Sequence, residues 1–350
     1  MEIERLLEST NLLYSELLQQ CWRAVPTGHG ISFVTKKLKG KTYWYIQNTI
    51  GNQKTQYYLG VDSPELRKKI DAEKRLWNDA KPELKKRQKL VAMLSSAGDA
   101  VSINNSEARI LELMERIGVF LVGGVLVGSH AFKLYSNMLG VRWQSEAART
   151  FDIDVAKDYR FTVAIKNQKV DLKTALLESG MGMLEIPALN RKNPSTSFSI
   201  RGKQLNVDIL TPMIGRTSEN PIELKALKTY ATPLRFLDFL LEDVQSAIVV
   251  AKAGILVNIP TPARYALHKL VISQRRPSAM HTKARKDILQ AEQILSILIE
   301  DRPGDILLAL EAVQSQPEKF RKQLRKGIEK LNSDLQAQFK REILEDISWW

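Results

Sequence analysis

Residues 128–154 read GSHAFKLYSNMLGVRWQSEAARTFDID, with a glycine-serine pair at one end and two aspartates, one residue apart, at the other. The run GVLV before this stretch is typical of a short buried strand, and HAFKLYSNML has the composition of a helix that ends at Gly140. The alternation of apolar and polar residues in FDIDVA predicts a second strand. The stretch therefore predicts the strand, turn, helix and strand of a mixed α/β core.

The two aspartates, Asp152 and Asp154, are two residues apart on the predicted strand, so both side chains leave the same face. Two carboxylates at that spacing repel each other unless a divalent cation or a shared proton compensates. Mg²⁺ takes hard oxygen ligands of this kind, commonly one or two carboxylates together with substrate phosphates. A D-x-D motif by itself is more often a strand-end cap or an ion pair, so its interpretation depends on its neighbours.

Two neighbouring features favour a catalytic site. Gly128-Ser129 follows a strand and opens a helix, which directs backbone N–H groups and a hydroxyl toward an anion at the positive end of the helix. Asp208 lies in the apolar run LNVDILTP, where an unpaired charge would be unfavourable, although a lysine or arginine partner is an alternative explanation. A glycine-serine turn, a carboxylate pair and a third acid are the groups that two-metal phosphoryl or nucleotidyl transfer needs.

These motifs resemble the polymerase-β-like nucleotidyltransferase superfamily, whose core has glycine-serine, then D-x-D, then a third aspartate on a neighbouring strand. The segments GVLVGSHAFKLYSNMLGVRW, TFDIDVA, VDILTP and VNIPTPARYALHKLVISQRR, followed by KARKDILQA, resemble a group of predicted nucleotidyltransferases, over residues from about 30 to 315. The resemblance implies a small mixed sheet flanked by helices, with Mg²⁺ or Mn²⁺ as cofactor and an NTP as substrate. It gives catalytic and metal-binding roles to Asp152, Asp154 and Asp208, and a nucleotide contact to Gly128 and Ser129.

Two details depart from the compact members of that superfamily. Gly128-Ser129 lies farther from Asp152, so an insertion around VRWQSEAART must be accommodated. A second glycine pair, Gly123-Gly124, also precedes apolar residues and is an alternative nucleotide-facing turn. Gly128-Ser129 is favoured because the GVLVG before it is typical of a buried strand.

The helices after the core supply further candidates. In related nucleotidyltransferases a lysine of the first helix after the core often contacts the triphosphate, which makes Lys269 the first candidate, as a mobile point charge. Lys283, Lys286 and Asp287 are candidates for a later basic-aspartate pair that helps to place the nucleotide. The alternative is that these lysines are solvated and that Lys283 and Asp287 form an ordinary i,i+4 pair. His268 is expected to be a packed or capping residue, and Asp208 is better suited as a base.

The N-terminal part carries much of the formal charge of +13, with 15 lysines and arginines against 6 acids between Lys36 and Leu90. The segment ISFVTKKLKGKTYWYIQNTIGNQKTQYYLG predicts three short antiparallel strands, followed by a basic helix. Its aromatics alternate with lysines: Tyr43, Trp44, Tyr45, Tyr57 and Tyr58 lie among Lys36, Lys37, Lys39, Lys41 and Lys54. Rings that stack on bases beside phosphate-neutralising lysines predict a nucleic-acid platform between Lys36 and Tyr58, with RNA as the partner. The alternative is a β-meander whose aromatics form its own core.

The fold class expected is α/β (α+β), with a small mixed-sheet nucleotidyltransferase core, an N-terminal basic β/α module and a C-terminal helical domain. The predicted domains are residues 1–100, 101–260 and 261–350, with a linker at 95–106. The tail is predicted to be helical over 261–276, 281–300, 303–314 and 318–346. The single cysteine, Cys21, excludes a disulfide framework and a cysteine-rich zinc site. No apolar run has the length of a membrane span and the charged N-terminus is unlike a signal peptide, so a cytoplasmic protein is expected.

The function predicted from these features is Mg²⁺-dependent transfer of NMP from an NTP to an acceptor. An RNA end, such as that of a tRNA, is the acceptor favoured by the charge distribution, as in toxin-like relatives. The alternatives are transfer to a protein side chain or a small molecule, and an inactive nucleic-acid-binding protein that keeps the core as a scaffold. The sequence carries no indication of the oligomeric state.

Overall fold

A computed structural model describes residues 3–24, 31–50, 53–143, 147, 152–160, 170–345 and 347 of the chain. Its helices are α1 (Glu8–Trp22), α2 (Pro64–Ser96), α3 (Asn105–Ile117), α4 (Gly128–Leu139), α5 (Leu172–Leu177), α6 (Leu237–Leu241), α7 (Pro262–Ser273), α8 (His281–Asp301), α9 (Pro303–Gln314), α10 (Glu318–Ile328) and α11 (Ser333–Phe339). Its strands are β1 (Glu4–Arg5), β2 (Ile31–Leu38), β3 (Lys41–Ile50), β4 (Gln53–Val61), β5 (Val125–Val127), β6 (Val141–Arg142), β7 (Asp152–Ala156), β8 (Met183–Glu185), β9 (Ser197–Ile200), β10 (Asn206–Pro212), β11 (Ile222–Leu224), β12 (Thr229–Leu234), β13 (Val244–Val249) and β14 (Ile255–Pro260). The predicted insertion around VRWQSEAART lies mostly outside the described residues.

The central sheet is mixed. Its strand order is β11-β12-β10-β7-β5, and β9 and β8 extend it from β10 on another branch. β10 runs parallel to β7 and to β12, whereas β5 is antiparallel to β7 and β9 is antiparallel to β10. The sheet divides along β10, because β9 pairs with residues 206–208 and β12 with residues 210–212. The predicted fold class, a small mixed sheet with helices around it, is confirmed.

The segment that connects the first strands follows the predicted order. Val125, Leu126 and Val127 form a fully buried strand, and α4 starts at the next residue. The predicted helix end at Gly140 is confirmed, since this residue adopts a left-handed conformation with φ of 66°. Such a backbone favours glycine at the end of a helix.

The main hydrophobic core extends from α3 through the central sheet to the C-terminal helices. Phe132 of α4, for example, stacks on Trp143 with ring centroids 4.9 Å apart, and Tyr135 contacts Tyr265 of α7 edge-on at 5.1 Å. Each such ring contributes about 2–3 kcal/mol by its burial. Side chains from both sides of residue 260 therefore share one core, and the three predicted domains stay a prediction.

The N-terminal strands form a separate three-stranded antiparallel sheet, β2-β3-β4, as predicted. One face packs on α2, where Phe33 stacks on Trp77 at 5.1 Å, and Trp44 of the same face donates to Asp62 at 2.8 Å. The opposite face carries Tyr45, whose ring meets that of Tyr58 edge-on at 5.7 Å. The aromatics are thus divided between a packed inner face and an outer face.

The helix predicted over 318–346 is wrong as a single element. α10 ends at Ile328, and α11 starts after Asn332, whose side chain accepts a hydrogen bond from the backbone N–H of Leu335 at 3.0 Å. Asparagine is a strong helix N-cap, and this cap fixes a new helix start. Near the break, Gly327 lies against Leu270, because an added Cβ would come within 2.6 Å of the Leu270 carbonyl oxygen. Residues 95–106 are also not a plain linker: α2 continues to Ser96, and Asn104 caps α3.

Glu115 of α3 is a partly buried carboxyl group that accepts a hydrogen bond from the backbone N–H of Leu256 at 2.6 Å. Burial raises its pKa from 4.5 to about 7, although the hydrogen bond and the Arg87 guanidinium act in the opposite direction. Since the unfolded chain loses this proton at lower pH than the folded chain, the group destabilises the fold increasingly as pH rises to about 7. We expect Glu115→Gln to raise the free energy of unfolding by about 2 kcal/mol at pH 8 and by less than about 1 kcal/mol at pH 5.

Urea denaturation of the wild type and the Glu115→Gln variant at both pH values measures this difference. An effect of the same size at pH 5 and pH 8 would contradict the assigned role of burial.

Candidate active site

The three predicted acids lie on one face of two neighbouring parallel strands. In the register of β7 with β10, Asp152 is opposite Asn206 and Asp154 is opposite Asp208. The alternate residues, such as Ile153, are fully buried on the other face. The prediction that Asp152 and Asp154 share a face is confirmed, and Asp208 is brought beside Asp154.

Two of the carboxylates have raised pKa values despite the lysines nearby. Burial, together with the charges of Asp208 and Asp152, raises the pKa of Asp154 to about 7, against the opposing effects of Lys269 and Lys283. Burial also raises the pKa of Asp208, despite a hydrogen bond from the Ser197 side chain. Such a cluster favours either a shared proton or a bound cation.

Asp152 is held from the side by a neutral group. The Asn206 amide donates to its Oδ1 at 2.9 Å. This contact orients the Asp152 carboxylate, which lies on the same face as Asp154 and Asp208. The pair of strands thus orients the acids before any ligand binds.

These residues fit a divalent cation that is held jointly with a substrate. Among the described residues, no three or more histidine, cysteine, aspartate or glutamate side chains are arranged to hold a metal ion by themselves. Mg²⁺ usually takes only one or two protein carboxylates and completes its shell with water and substrate phosphates. Asp152, Asp154 and Asp208 supply hard oxygen atoms on one face, and their mutual repulsion is what a cation would relieve.

Gly128-Ser129 lies directly against the acids. Val127 pairs with Asp154 across β5 and β7, and Gly128 has a φ of 65°. A Cβ atom on Gly128 would overlap Oδ2 of Asp154 and lie 2.9 Å from its Cγ. The Gly128 carbonyl oxygen is 2.9 Å from the Tyr265 hydroxyl, and Ser129 Oγ is 3.4 Å from the Gln290 amide. The start of α4 therefore faces the same space as the carboxylates.

The alternative pair, Gly123-Gly124, lies at the other end of β5. Val125, the residue after this pair, is opposite Ala156 rather than opposite the acids. A Cβ atom on Gly124 would come within 2.6 Å of the Val119 side chain, so this glycine permits close packing. The structure thus brings Gly128-Ser129, and not Gly123-Gly124, to the carboxylates.

Lys269 is near the acids, but its ammonium group is buried and already paired. Its Nζ is 2.7 Å from Oδ1 of Asp287, and Arg276 Nε is 2.9 Å from Oδ2 of the same carboxylate. Burial alone would raise the pKa of Asp287, but the two cations hold it below its usual value. The alternative, an i,i+4 pair of Lys283 with Asp287, is not formed, because Asp287 faces the interior between α7 and α8 while Lys283 is exposed. Lys269 therefore does not behave as the mobile charge that was expected.

The lysines of α8 have different surroundings. Lys283 is exposed, and its charge lowers the pKa of both Asp154 and Asp208, so it faces the acids. Lys286 is half-buried, and burial lowers its pKa to about 8, with a further contribution from the charge of Lys269. Lys133 of α4 also acts on Lys286, although the sequence did not indicate it. Positive charge thus borders the carboxylates on the α8 side.

The lysines predict two distinct mutant phenotypes. Lys269→Met leaves Asp287 in the interior with Arg276 as its partner, so we expect the free energy of unfolding to fall by about 3 kcal/mol. Lys283→Met removes an exposed charge that faces the acids, so we expect unchanged stability and an increase of about tenfold in the KM for an anionic substrate. Thermal unfolding and initial rates at varied substrate concentration measure the two effects. A loss of stability in the Lys283 variant would contradict its role as a solvated charge. Unchanged stability in the Lys269 variant would contradict the structural role of its ion pair.

His130 and Glu107 form a chain of contacts behind the backbone of Asp152. Neither residue was predicted from the sequence. His130 Nδ1 donates a hydrogen bond to the Asp152 carbonyl oxygen at 2.9 Å, because a carbonyl oxygen can only accept. His130 Nε2 is 3.4 Å from Oε1 of Glu107. Glu107 also closes a capping box with Asn104 at the start of α3. The spacing of Asn104 and Glu107 is the sequence signal that could have located this anchor.

His268 is a buried residue, as predicted. Burial lowers its pKa to about 3, so the ring is neutral at ordinary pH. A neutral, enclosed histidine of α7 contributes packing rather than acid-base chemistry.

A mixed sheet that carries three acids on one face, beside a strand-glycine-helix turn, has the form of an α+β nucleotidyltransferase core. A model of a family described as nucleotidyltransferase matches residues 105–314, which is more than half of the chain. The chain belongs to this nucleotidyltransferase family, and the resemblance noted in the sequence is confirmed. No curated protein and no solved structure matches the chain.

The matched region contains the three acids, the Gly128-Ser129 turn and the helices α7 and α8. It begins after the β2-β3-β4 sheet and α2. Within the described part of the chain, no helix is long and apolar enough to span a membrane.

Proposed function

We propose that the protein is a divalent-cation-dependent nucleotidyltransferase that transfers a nucleoside monophosphate from an NTP to a hydroxyl group of an RNA end. The observation that carries this proposal is the approach of Gly128 to the carboxylate of Asp154, which lies opposite Asp208 in the sheet. It combines a phosphate-type turn with an acidic cluster. Membership of the nucleotidyltransferase family supports transfer of a nucleotide in general.

In the proposed reaction, the acceptor hydroxyl oxygen forms a bond to the α-phosphorus of the NTP. The bond from that phosphorus to the oxygen that bridges to the β-phosphate breaks, and pyrophosphate leaves with these electrons. The hydroxyl proton passes to a carboxylate, for which Asp208 is the candidate, because burial raises its pKa and makes it a stronger proton acceptor. A cation held by Asp152, Asp154 and Asp208 would supply charge neutralisation and lower the pKa of the attacking hydroxyl.

The other residues have binding roles in this proposal. Backbone N–H groups at Gly128 and Ser129 donate to phosphate oxygens at the positive end of α4. Lys283 and Lys286 offset the negative charge of the triphosphate, and Lys269 with Asp287 fixes the position of α8 relative to α7.

RNA is the proposed acceptor because of the outer face of the β2-β3-β4 sheet. Tyr43, Tyr45 and Tyr58 form a cluster there, with Tyr58 56% exposed and Lys36 Nζ 4.8 Å from the centre of the Tyr45 ring. Exposed rings beside lysines offer stacking to bases and neutralisation to phosphates. Trp44, by contrast, belongs to the inner face that packs on α2.

The outer face predicts a specific loss of RNA affinity. We expect Tyr45→Ala combined with Tyr58→Ala to weaken binding of a single-stranded RNA by at least about thirtyfold, because each of two stacked bases contributes about 1–3 kcal/mol. We expect Lys36→Glu to reduce the salt dependence of binding. Tyr230→Ala, which removes an exposed tyrosine of β12, is the matched control. Fluorescence anisotropy at several salt concentrations measures the RNA affinity and its salt dependence. Equal affinity of all variants would show that the tyrosines do not bind RNA.

The function is tested by incubating the protein with each NTP labelled at the α-phosphate, with Mg²⁺ or Mn²⁺ and total RNA. Label in the RNA fraction supports the proposal. Label only in protein or in a small molecule would contradict RNA as the acceptor, and absence of label from every fraction would contradict the proposed activity.

A further inference from the structure

The face of the central sheet that carries the acids continues sideways over β9 and β8. Ser199 of β9 lies opposite Asn206, and Leu184 of β8 lies opposite Ser199. Cross-strand partners point to the same face of a sheet. One row of side chains therefore leads from Asn206, the partner of Asp152, to Leu184 at the edge of the sheet.

A second row lies beside the first. Ser197 is opposite Asp208, and the backbone N–H of Ile186 donates to the Ser197 carbonyl oxygen at 2.9 Å. On β9 the alternate residue Phe198 is buried on the core face. On this side of the acids lie two serines, Ser197 and Ser199, and beyond them the residues of β8.

The edge formed by β8 and the segment after it is apolar and exposed. Leu184 is 50% exposed, Ile186 36%, and Leu189 is fully exposed. The cations around this edge are exposed as well, namely Arg191, Lys192, Arg201 and Lys203, whereas the acid of β8, Glu185, is paired with Lys173 at 2.7 Å. Among the described residues, no acidic side chain pairs with these four cations. An exposed apolar strip bordered by such cations matches a ligand with apolar faces and anionic links.

The order of strands shows on which side of the acids this edge lies. Across the sheet, the Gly128-Ser129 turn after β5 lies on one side of the acids of β7 and β10, and β9 with β8 lies on the other. Phosphoryl transfer requires the attacking and leaving oxygens to be roughly in line. If pyrophosphate leaves toward the Gly128-Ser129 turn, the attacking hydroxyl approaches Asp208 from the side of β9. Strands are spaced about 4.8 Å apart, so β8 is roughly 10 Å from β10.

From this arrangement we propose that the β8–β9 edge, defined as Leu184, Ile186, Leu189, Arg191, Lys192, Ser197 and Ser199, binds the terminal nucleotides of a single-stranded RNA acceptor. The apolar side chains contact base faces, and Arg191 and Lys192 contact the phosphates. The terminal hydroxyl then lies at Asp208. This inference rests on the proposed function, and it assigns to this edge a role separate from that of the outer face of β2-β3-β4.

A crosslinking experiment tests the site without requiring turnover. The full-length protein is irradiated with a single-stranded RNA of about 12 nucleotides that carries 4-thiouridine at its terminal position, and the crosslinked peptides are identified by mass spectrometry. We expect crosslinks within residues 183–200. Crosslinks confined to other segments, or no binding of the RNA, would overturn the inference.

Kinetics with the same RNA provide the second measurement. We expect Ile186→Asp and the double variant Arg191→Glu with Lys192→Glu to raise the KM for RNA at least tenfold, with unchanged KM for NTP and unchanged thermal stability. Leu308→Asp, which places the same charge on an exposed leucine of α9, is the control. Wild-type KM for RNA in the edge variants would overturn the site while the proposed function stands. Crosslinks at the edge without any transfer would support the site and contradict the activity.

Discussion

Asp154→Asn is expected to lower the rate of nucleotide transfer by about 10³-fold, because it removes a charge at the centre of the acidic cluster. The same change is expected to leave the fold at least as stable as the wild type at pH 8. The carboxyl pKa is raised by burial from 3.8 to about 7, so the ionised group destabilises the folded state above that pH, and a neutral isostere removes this effect. Loss of activity with a gain in stability distinguishes a functional acid from a structural one.

Initial rates with labelled NTP and thermal unfolding at pH 8 measure both properties of the Asp154→Asn variant. The control is Asp305→Asn, which changes an acid of α9 that is paired with Arg302 far along the chain from the cluster. We expect its activity to equal that of the wild type. An Asp154→Asn variant with more than a tenth of wild-type activity would contradict the assigned role.

Gly128→Ala is expected to reduce transfer by about 10²-fold or more. An added Cβ would overlap the Asp154 carboxylate, so either the turn or the acid must move. The left-handed backbone at this position, with φ of 65°, adds a penalty of roughly 1 kcal/mol for any side chain. The change therefore displaces the phosphate-type turn and the acid together.

Gly215→Ala is the control that separates the overlap with Asp154 from the penalty of the left-handed backbone. Gly215 has a similar φ of 74°, but a Cβ atom there would have no neighbour within 4 Å. We expect this variant to lose a comparable amount of backbone stability and to keep its activity. If Gly128→Ala and Gly215→Ala have the same activity, the contact between Gly128 and Asp154 has no functional importance.

Local features of the sequence were sufficient to predict much of the fold. The buried strand before Gly128, the helix end at Gly140 and the shared face of Asp152 and Asp154 all depend on periodicity or on the conformational preference of glycine. The three antiparallel N-terminal strands follow from the same kind of alternation and from turn residues.

Long-range features could not be predicted in this way. The register that places Asp208 opposite Asp154 depends on which strands become neighbours, and no local pattern encodes that choice. The pairing of Lys269 with Asp287 depends on how α7 packs against α8, so a buried ion pair takes the place of the mobile, phosphate-binding charge that was expected. The apolar edge at Leu184 depends on the pairing of β8 with β9, which no local pattern encodes.

The family match covers the core but not the N-terminal sheet. Membership of the nucleotidyltransferase family covers residues 105–314 and gives the core its general activity. The β2-β3-β4 sheet lies outside that region, so its proposed contact with RNA depends on the exposed tyrosines and lysines of its outer face.

In the proposed function, the acids of β7 and β10 direct transfer of the α-phosphate with its nucleoside. The most direct test of this function uses one NTP labelled at the α-phosphate and, in parallel, the same NTP labelled at the γ-phosphate, with RNA and Mg²⁺. We predict that the α-label enters the RNA in the wild type, that the γ-label is released as pyrophosphate, and that neither occurs in the Asp152→Asn/Asp154→Asn variant. Transfer of the γ-label to the acceptor, or α-label transfer of equal extent in the variant, would contradict the account.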